Sequence, residues 1–170
     1  MNKANILLRT SLIAGLLLSA GCAGLSSGSV DPGTLVLINT NLEIPVSKAR
    51  IYIQSGVHPE FKDLDKWHTF CSVLMQKKQV RGGPALTVSP GSFEVIEVRK
   101  YSEQLSDHHD SGRHAYDEYA YRVDMRLKSG EQPGVRSLIC AKHFAGVGAP
   151  YPTQEEMKTA LGDLIEIKAP

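Results

Sequence analysis

The chain has 170 residues, of which 19 are Lys or Arg and 18 are Asp or Glu, so its formal net charge at pH 7 is +1. This near balance lacks the basic excess of proteins that hold nucleic acid, and we expect no nucleic-acid partner. The length suits one domain that can bury its own core without additional cross-links.

The first segment is a short apolar run that follows two positive charges. Lys3 and Arg9 precede residues 11–20, which are ten uncharged and mostly apolar residues. A run of this size is typical of a signal-peptide core and falls short of the roughly 20 residues that a membrane-spanning helix needs. The run leads into LSAGC, residues 18–22, which resembles the lipobox of bacterial lipoproteins, with Ser19 where the pattern usually has an aliphatic residue.

This resemblance implies a processing route and a compartment. Residues 1–21 are expected to be removed as a lipoprotein signal peptide, which leaves Cys22 as the first residue with a diacylglycerol and an acyl chain such as palmitate. Each buried methylene stabilises such an anchor by about 0.8 kcal/mol. Ala23 in place of Asp implies the outer membrane, with the protein facing the periplasm. The alternative is an ordinary secreted protein with a free Cys22.

Residues 22–33 are small, turn-forming and aperiodic, so they are predicted to tether the lipid to a single domain of residues 34–170. Gly24, Ser26 and Gly28 match the G-x-S-x-G nucleophile elbow of hydrolases. That motif needs a strand before it and a helix after it, so we interpret the match as chance. Loss of the leader leaves 17 basic and 18 acidic residues, a formal net charge of −1.

The middle of the chain has mostly a period of two. Residues 119–128 alternate apolar or aromatic side chains with Arg122, Asp124, Arg126 and Lys128, and this second face is predicted to meet solvent. Further strands are predicted at 34–39, 49–54, 69–76, 93–101 and 136–144.

The end of the chain predicts a helix and a last strand. Thr153 and Glu156 are spaced as a capping box, which predicts a helix over Gln154–Leu161. Ile165 and Ile167 then alternate with charged residues, as in a strand. The sequence therefore predicts a mainly β fold, an antiparallel β-barrel or β-sandwich of six to eight strands with one short C-terminal helix, and an α+β fold is the alternative.

Two cysteines remain once Cys22 is assigned to lipid. An oxidising periplasm favours a disulfide between Cys71 and Cys140, which would stabilise the fold by about 4 kcal/mol. His68 and His143 each stand three residues from one of these cysteines, so a Cys2His2 zinc site is an alternative. Residues three apart on a strand point to opposite faces, so the disulfide is favoured over zinc and over a reactive thiol.

Potential metal ligands are concentrated in residues 106–119, in the connection of a predicted hairpin. His108, His109, Asp110 and His114 supply the imidazole and carboxylate groups that bind zinc, copper or nickel. The same segment has the Ser, Asp and Gly content of a solvated turn, which is the interpretation we favour.

Trp67 is the only tryptophan of the chain. An exposed Trp beside a loop is typical of a partner-binding hot spot. Because Trp is highly buried on average, we favour a core position and keep a partner contact as the alternative.

Catalytic motifs are missing from the sequence: it has no phosphate-binding Gly loop and no H-E-x-x-H. Glu94 and Glu97 are expected on opposite faces of one strand, so they form no carboxylate pair. We expect no enzyme activity and no cofactor beyond the lipid on Cys22. The leading hypothesis is a lipid-anchored periplasmic envelope protein that binds or braces another envelope protein. A small-ligand or metal-binding lipoprotein that uses residues 106–119 is the alternative, and an envelope hydrolase ranks third.

Overall fold

Two stretches of the chain, residues 30–106 and 117–169, are described by the structure, a computed structural model. Among these residues, no helix has both the length and the apolar composition needed to cross a membrane. Val30, which falls in the predicted tether, is buried with the core. Outside the described residues lie the predicted signal peptide, the G-x-S-x-G match and five predicted site residues: Cys22, His108, His109, Asp110 and His114.

The described fold consists of strands, one α-helix, α1 at Gln154–Leu161, and one 3-10 turn at Phe61–Asp63. The strands are β1 (Leu35–Ile38), β2 (Leu42–Glu43), β3 (Arg50–Ile53), β4 (Phe70–Met75), β5 (Thr87–Val88), β6 (Gly91–Ser106), β7 (Glu118–Lys128), β8 (Val135–Ala145) and β9 (Ile165–Lys168). Seven of them form an antiparallel sheet in the order β3-β4-β8-β7-β6-β1-β9, and β2 pairs with β5. The sheet curls into a half-barrel, which confirms the predicted mainly β fold with one short C-terminal helix.

The inner face of the curled sheet carries the core. On β7, Val123, Met125 and Leu127 are buried on this face, as their alternation predicts. On the other face Arg126 and Lys128 are exposed as predicted, but Arg122 and Asp124 are half-buried. The side chains of the inner face and of α1 bury one continuous apolar cluster. Burial of this cluster is the main stabilising contribution to the fold.

The disulfide lies within this inner core. Cys71 of β4 and Cys140 of β8 are register partners with Cα atoms 4.0 Å apart, and their sulfur atoms are bonded. Both side chains are fully buried. The predicted disulfide is confirmed, and the alternatives of a zinc site or a reactive thiol at these positions are wrong because both sulfur atoms are used.

Helix α1 spans the opening between the two edges of the half-barrel. Its side chains Met157, Ala160 and Leu161 are buried in the core. The backbone N–H of Gly56, in the turn after β3, donates to the Ala160 carbonyl at 3.1 Å. At the helix end Gly162 has φ +56°, and a Cβ built there would lie 2.7 Å from the Gly56 Cα. Glycine is therefore required where the end of α1 meets the β3 edge.

A β-bulge changes which side chains share a face of β6. Val95 lies opposite Leu127 but Glu97 lies opposite Arg126, so Ile96 is an extra residue in the strand. The bulge places Glu94 and Glu97 on the same outer face, so the expectation of opposite faces is wrong. Alternation alone does not reveal a bulge.

Candidate functional site

A cleft of about 700 Å³ opens between the loop before β4, the ends of β3 and β8, and the start of α1. We call it the Trp67 cleft. Its lining includes Gln54, Asp65, Trp67, His68, Thr69, Lys142, Phe144, Thr153 and Glu156.

Two aromatic side chains of this cleft are open to solvent. Trp67 is 58% exposed and Phe144 is 48% exposed. The favoured core position for Trp67 is therefore wrong: the residue precedes β4 on a loop outside the sheet, and the strand buries its side chains only from Phe70 onward. The alternative of a partner contact at Trp67 stays a prediction.

The loop that carries Trp67 is held in place by the Gln54 side chain at the end of β3. Gln54 Nε2 donates to the Asp65 carbonyl at 2.7 Å, and Gln54 Oε1 accepts from the Asp65 backbone N–H at 3.0 Å. Asp65 Oδ1 then accepts from the Trp67 backbone N–H at 3.1 Å. The His143 backbone N–H donates to the Lys66 carbonyl at 2.7 Å and ties the loop to β8. The exposed indole therefore stands on a constrained backbone.

Asp65 also orients the ring of His68. The distance between His68 Nδ1 and Asp65 Oδ2 is 2.7 Å. A carboxylate only accepts, so Nδ1 donates and Nε2 is left as the acceptor of the neutral ring. The hydrogen bond from His68 holds the pKa of the Asp65 carboxyl below its usual range, and the bond from the Trp67 N–H adds to this effect.

The opposite wall of the cleft is an ion pair at the start of α1. Lys142 Nζ lies 2.7 Å from Glu156 Oε1, and the second oxygen of Glu156 accepts from the Thr153 backbone N–H at 2.7 Å. The Thr153 hydroxyl accepts from the Glu156 N–H at 3.2 Å and completes the predicted capping box. Partial burial opposes ionisation of Glu156, but the bonds from Lys142 and Thr153 outweigh it and lower the pKa of this carboxyl.

Thr69 adds an unpaired polar atom to the wall. Its side chain is 9% exposed, and its hydroxyl has no hydrogen-bond partner in the structure. A buried hydroxyl without a partner costs free energy, so Thr69 is a polar group that the described residues leave unsatisfied. Among the described residues no hydroxyl or thiol hydrogen-bonds to the His68 ring, so the Asp65–His68 pair has no bonded nucleophile there.

A second concavity, of about 370 Å³, lies on the outer face of β3, β4, β8 and β7. We call it the outer groove; its lining includes Arg50, Tyr52, Phe61, Lys66, Phe70, Glu118, Arg122 and His143. Aromatic rings form one side of it, with the Tyr52 and Phe61 centroids 5.2 Å apart. The Lys66 ammonium lies 4.6 Å from the centroid of the Phe61 ring. Among the described residues Arg50 has no ion pair.

His68 and His143, paired in the zinc alternative, occupy different sites. His68 is exposed in the Trp67 cleft. His143 is buried in the outer groove, where Nδ1 lies 2.5 Å from Glu118 Oε1. In residues 30–106 and 117–169, no group of three or more His, Cys, Asp or Glu side chains has the arrangement of a metal site.

Sequence reasoning missed most of the Trp67 cleft. The capping box marked Thr153 and Glu156, but nothing local connects them with Lys142, which is 14 residues away from Glu156. The order Asp65, Trp67, His68 is a signal for a side-chain turn that could have been recognised, because aspartate often accepts from the amide two residues on. Phe144 shows only as the last residue of a predicted strand.

Known proteins offer no comparison for the geometry of these two sites. No protein-family model matches this chain, and no curated protein or solved structure is significantly similar to it.

Proposed function

We propose that this protein is a lipid-anchored envelope protein that binds another envelope protein through the Trp67 cleft. The observation that carries the proposal is the exposure of Trp67 and Phe144 along the same cleft. Tryptophan is enriched among the residues that dominate binding energy at protein interfaces.

Two features of the cleft support recognition of a protein. The Trp67 loop is fixed by Gln54 and Asp65, so little conformational entropy is lost when a partner contacts the indole. The Lys142–Glu156 pair provides a charged rim beside the aromatic rings, an arrangement that fixes the register of a partner.

The test places a photoreactive amino acid at Phe144 in the full chain and irradiates intact cells. We expect one discrete cross-linked product, and we expect its loss when Trp67→Ala is added. The control carries the photoreactive residue at Val80, which is 68% exposed and lies outside the cleft lining. Equal products from the two positions, or a product that survives Trp67→Ala, would contradict the proposal.

The fluorescence of Trp67 gives a direct second measurement because the chain has no other tryptophan. The cross-linked product identifies the partner, which is then purified separately and added to the natural chain. Its binding should shift the Trp67 emission to shorter wavelength and protect the indole from a soluble quencher. Unchanged emission with a partner that still binds would place the contact elsewhere on the molecule.

The lipid anchor and the outer-membrane location are part of the proposal and rest on the lipobox resemblance at residues 18–22. Mass spectrometry of the purified protein should find a diacylglycerol and an acyl chain on Cys22. A protein that begins at Cys22 without lipid, or that keeps residues 1–21, would remove this part of the proposal and leave the cleft prediction standing.

A second candidate function, binding of a small anionic ligand, is favoured by Arg50 in the outer groove, which has no ion pair among the described residues. Lys66 and Arg122 face the same space, and the rings of Tyr52 and Phe70 offer apolar contact. Benzoate and inorganic phosphate are suitable probes, since they share an anionic group and differ in apolar area. Saturable binding of either probe to the natural chain, lost in Arg50→Ala, would support this candidate. Equal binding of the probe to the natural chain and to Arg50→Ala would refute it.

The metal-binding alternative rests on His108, His109, Asp110 and His114, which lie outside the described residues. Elemental analysis of the purified full chain, compared with the triple variant in which the three histidines are Ala, tests it. A bound metal that the triple variant loses would support it, whereas equal metal content in both proteins would end it.

A further inference from the structure

The outer half of β6 is a strand edge that the proposed function does not use. β1 pairs with β6 only over Gly91–Glu94. From Val98 onward β6 has β7 on one side and, among the described residues, no strand on the other. The side chains of residues 99–105 are all exposed. An exposed edge of this kind presents unpaired amides and carbonyls that can pair with another strand.

The direction of these backbone groups follows from the ladder. Successive residues of a strand direct their backbone groups to opposite sides. The Asp117 carbonyl accepts a hydrogen bond from the Gly146 N–H, on the β8 side of β7. Arg122 is an odd number of residues further along the strand, so its backbone N–H and C=O are directed to the other side, toward β6. Tyr101, the register partner of Arg122, therefore uses its amide and carbonyl inside the hairpin. Lys100 and Ser102, on either side of Tyr101, direct theirs to the open edge.

We propose that a second copy of this chain pairs on this edge in antiparallel orientation, with the two-fold axis at Tyr101. Lys100 of each copy then lies opposite Ser102 of the other, and both residues have backbone groups directed across the edge. Arg99 lies opposite Glu103 of the second copy, and symmetry repeats this ion pair. The two seven-stranded sheets become one continuous sheet through an isologous contact.

Charge complementarity identifies the second copy as the occupant and fixes the register. With the axis at Tyr101, opposite charges face each other at both symmetric positions. An axis at Lys100 would place Lys100 against its own copy and Glu97 against Glu103, and like charges directly opposite are destabilising. An axis at Ser102 would place Arg99 against an apolar residue and form no ion pair. The register at Tyr101 is therefore the self-complementary one.

The ion pairs within each chain extend the same pattern. Arg99 Nε lies 2.7 Å from Glu97 Oε1, and Arg122 lies 2.7 Å from Glu103 Oε2. In the pairing at Tyr101, Arg99 of one copy lies opposite Glu103 of the other. The row of charges Glu97, Arg99, Glu103 of the second copy and Arg122 of the second copy therefore alternates in sign. The Arg122 guanidinium lies 5.9 Å from the centroid of the Tyr101 ring, so the central tyrosine is already held by a neighbour.

The decisive experiment uses two charge-reversed full chains in detergent and measures their mass by light scattering. Arg99→Glu leaves two acidic groups, and Glu103→Arg leaves two basic groups, so each variant alone should dimerise roughly 10- to 100-fold more weakly than the natural chain. An equal mixture of the two variants restores both ion pairs in a heterodimer, and its affinity should return to that of the natural chain. The double variant Arg99→Glu with Glu103→Arg should also dimerise alone.

A natural chain that stays monomeric, or single variants that dimerise as well as it does, would overturn the proposal. A mixture that stays monomeric while each variant is folded by circular dichroism would overturn it as well. Tyr101→Cys gives an independent measurement, because residues facing each other across the axis have Cα atoms about 4.5 Å apart, a spacing that a disulfide can bridge. Oxidation should link Tyr101→Cys into a covalent dimer and leave Lys128→Cys, exposed elsewhere on the sheet, unlinked; equal linking of the two variants would refute the register.

Discussion

The inner and outer faces of the same sheet differ in what their side chains do. On the inner face Phe93, Met125 and the Cys71–Cys140 disulfide are fully buried in one cluster with α1. On the outer face the only described cluster of buried apolar side chains beyond this core is a small one that includes Phe70, and ion pairs and partly exposed aromatic rings surround it. The inner face therefore makes the larger contribution to the stability of the fold.

The largest test of this difference compares two phenylalanines. Phe93→Ala empties a fully buried position on the inner face and should lower the free energy of unfolding by about 3–5 kcal/mol. Phe61→Ala removes a ring that is 50% exposed beside the outer groove and should cost about 1 kcal/mol. Urea unfolding of both variants measures the difference. Similar losses from the two substitutions would mean that the outer face also supports the fold.

The disulfide gives the next largest effect. Replacing Cys71 and Cys140 by Ala together should lower the free energy of unfolding by about 2–4 kcal/mol, since the bond joins residues that are 69 positions apart in the chain. The Trp67 emission spectrum should stay unchanged in the folded variant, because the indole lies outside the inner core. A folded variant with a shifted emission maximum would show that the inner core also shapes the cleft.

Loss of the helix cap beside the cleft should have a smaller effect on the free energy of unfolding. Thr153→Ala removes the hydroxyl that accepts from the Glu156 N–H and should cost about 1 kcal/mol in chemical denaturation. Thr159→Ala, in the middle of the same helix, is the matched control and should cost less than about 0.5 kcal/mol. Equal costs would show that the capping box contributes no more than an ordinary exposed threonine.

The smallest predicted effect is the pH dependence of the cleft wall. Because the pKa of Glu156 is lowered in the folded protein, its ionised form stabilises the fold above the usual pKa of glutamate. This contribution is lost as the pH falls through the lowered value. Glu156→Gln should therefore be less stable than the natural chain by about 1 kcal/mol or less at neutral pH, and the difference should shrink in acid.

Glu155→Gln serves as the control for this titration, because its carboxylate lines the same cleft and has no ion pair among the described residues. Unfolding curves of the three proteins between neutral and acidic pH test the prediction. A difference for Glu156→Gln that grows as the pH falls would contradict the assigned direction.

Local patterns predicted the elements of the fold well. The alternation of 119–128 and the capping box at Thr153 lie within single elements, so β7 and α1 match their predicted ranges closely. β2 and β5 were missed because two residues are too few to show a period. The bulge at Ile96 was missed because an inserted residue leaves no compositional mark.

The Trp67 cleft could not be predicted in the same way because its parts come from distant segments. Gln54 holds Asp65 across a loop, and Lys142 reaches Glu156 from another strand. Trp67 was assigned to the core from average burial alone, although its neighbour Asp65 ties the backbone into a turn that leaves the indole in solvent. Contacts between segments, rather than residue type, decide exposure here.

The position of β1 has a consequence for the order in which the chain can fold. β1 lies between β6 and β9, so the first strand of the described domain gains its second neighbour only from the last one. A ribosome or a secretion channel delivers Ile165–Lys168 after every other strand that the structure describes. Until then one edge of β1 has no strand partner. The domain therefore completes its folding only after the chain has been delivered, and not strand by strand during delivery.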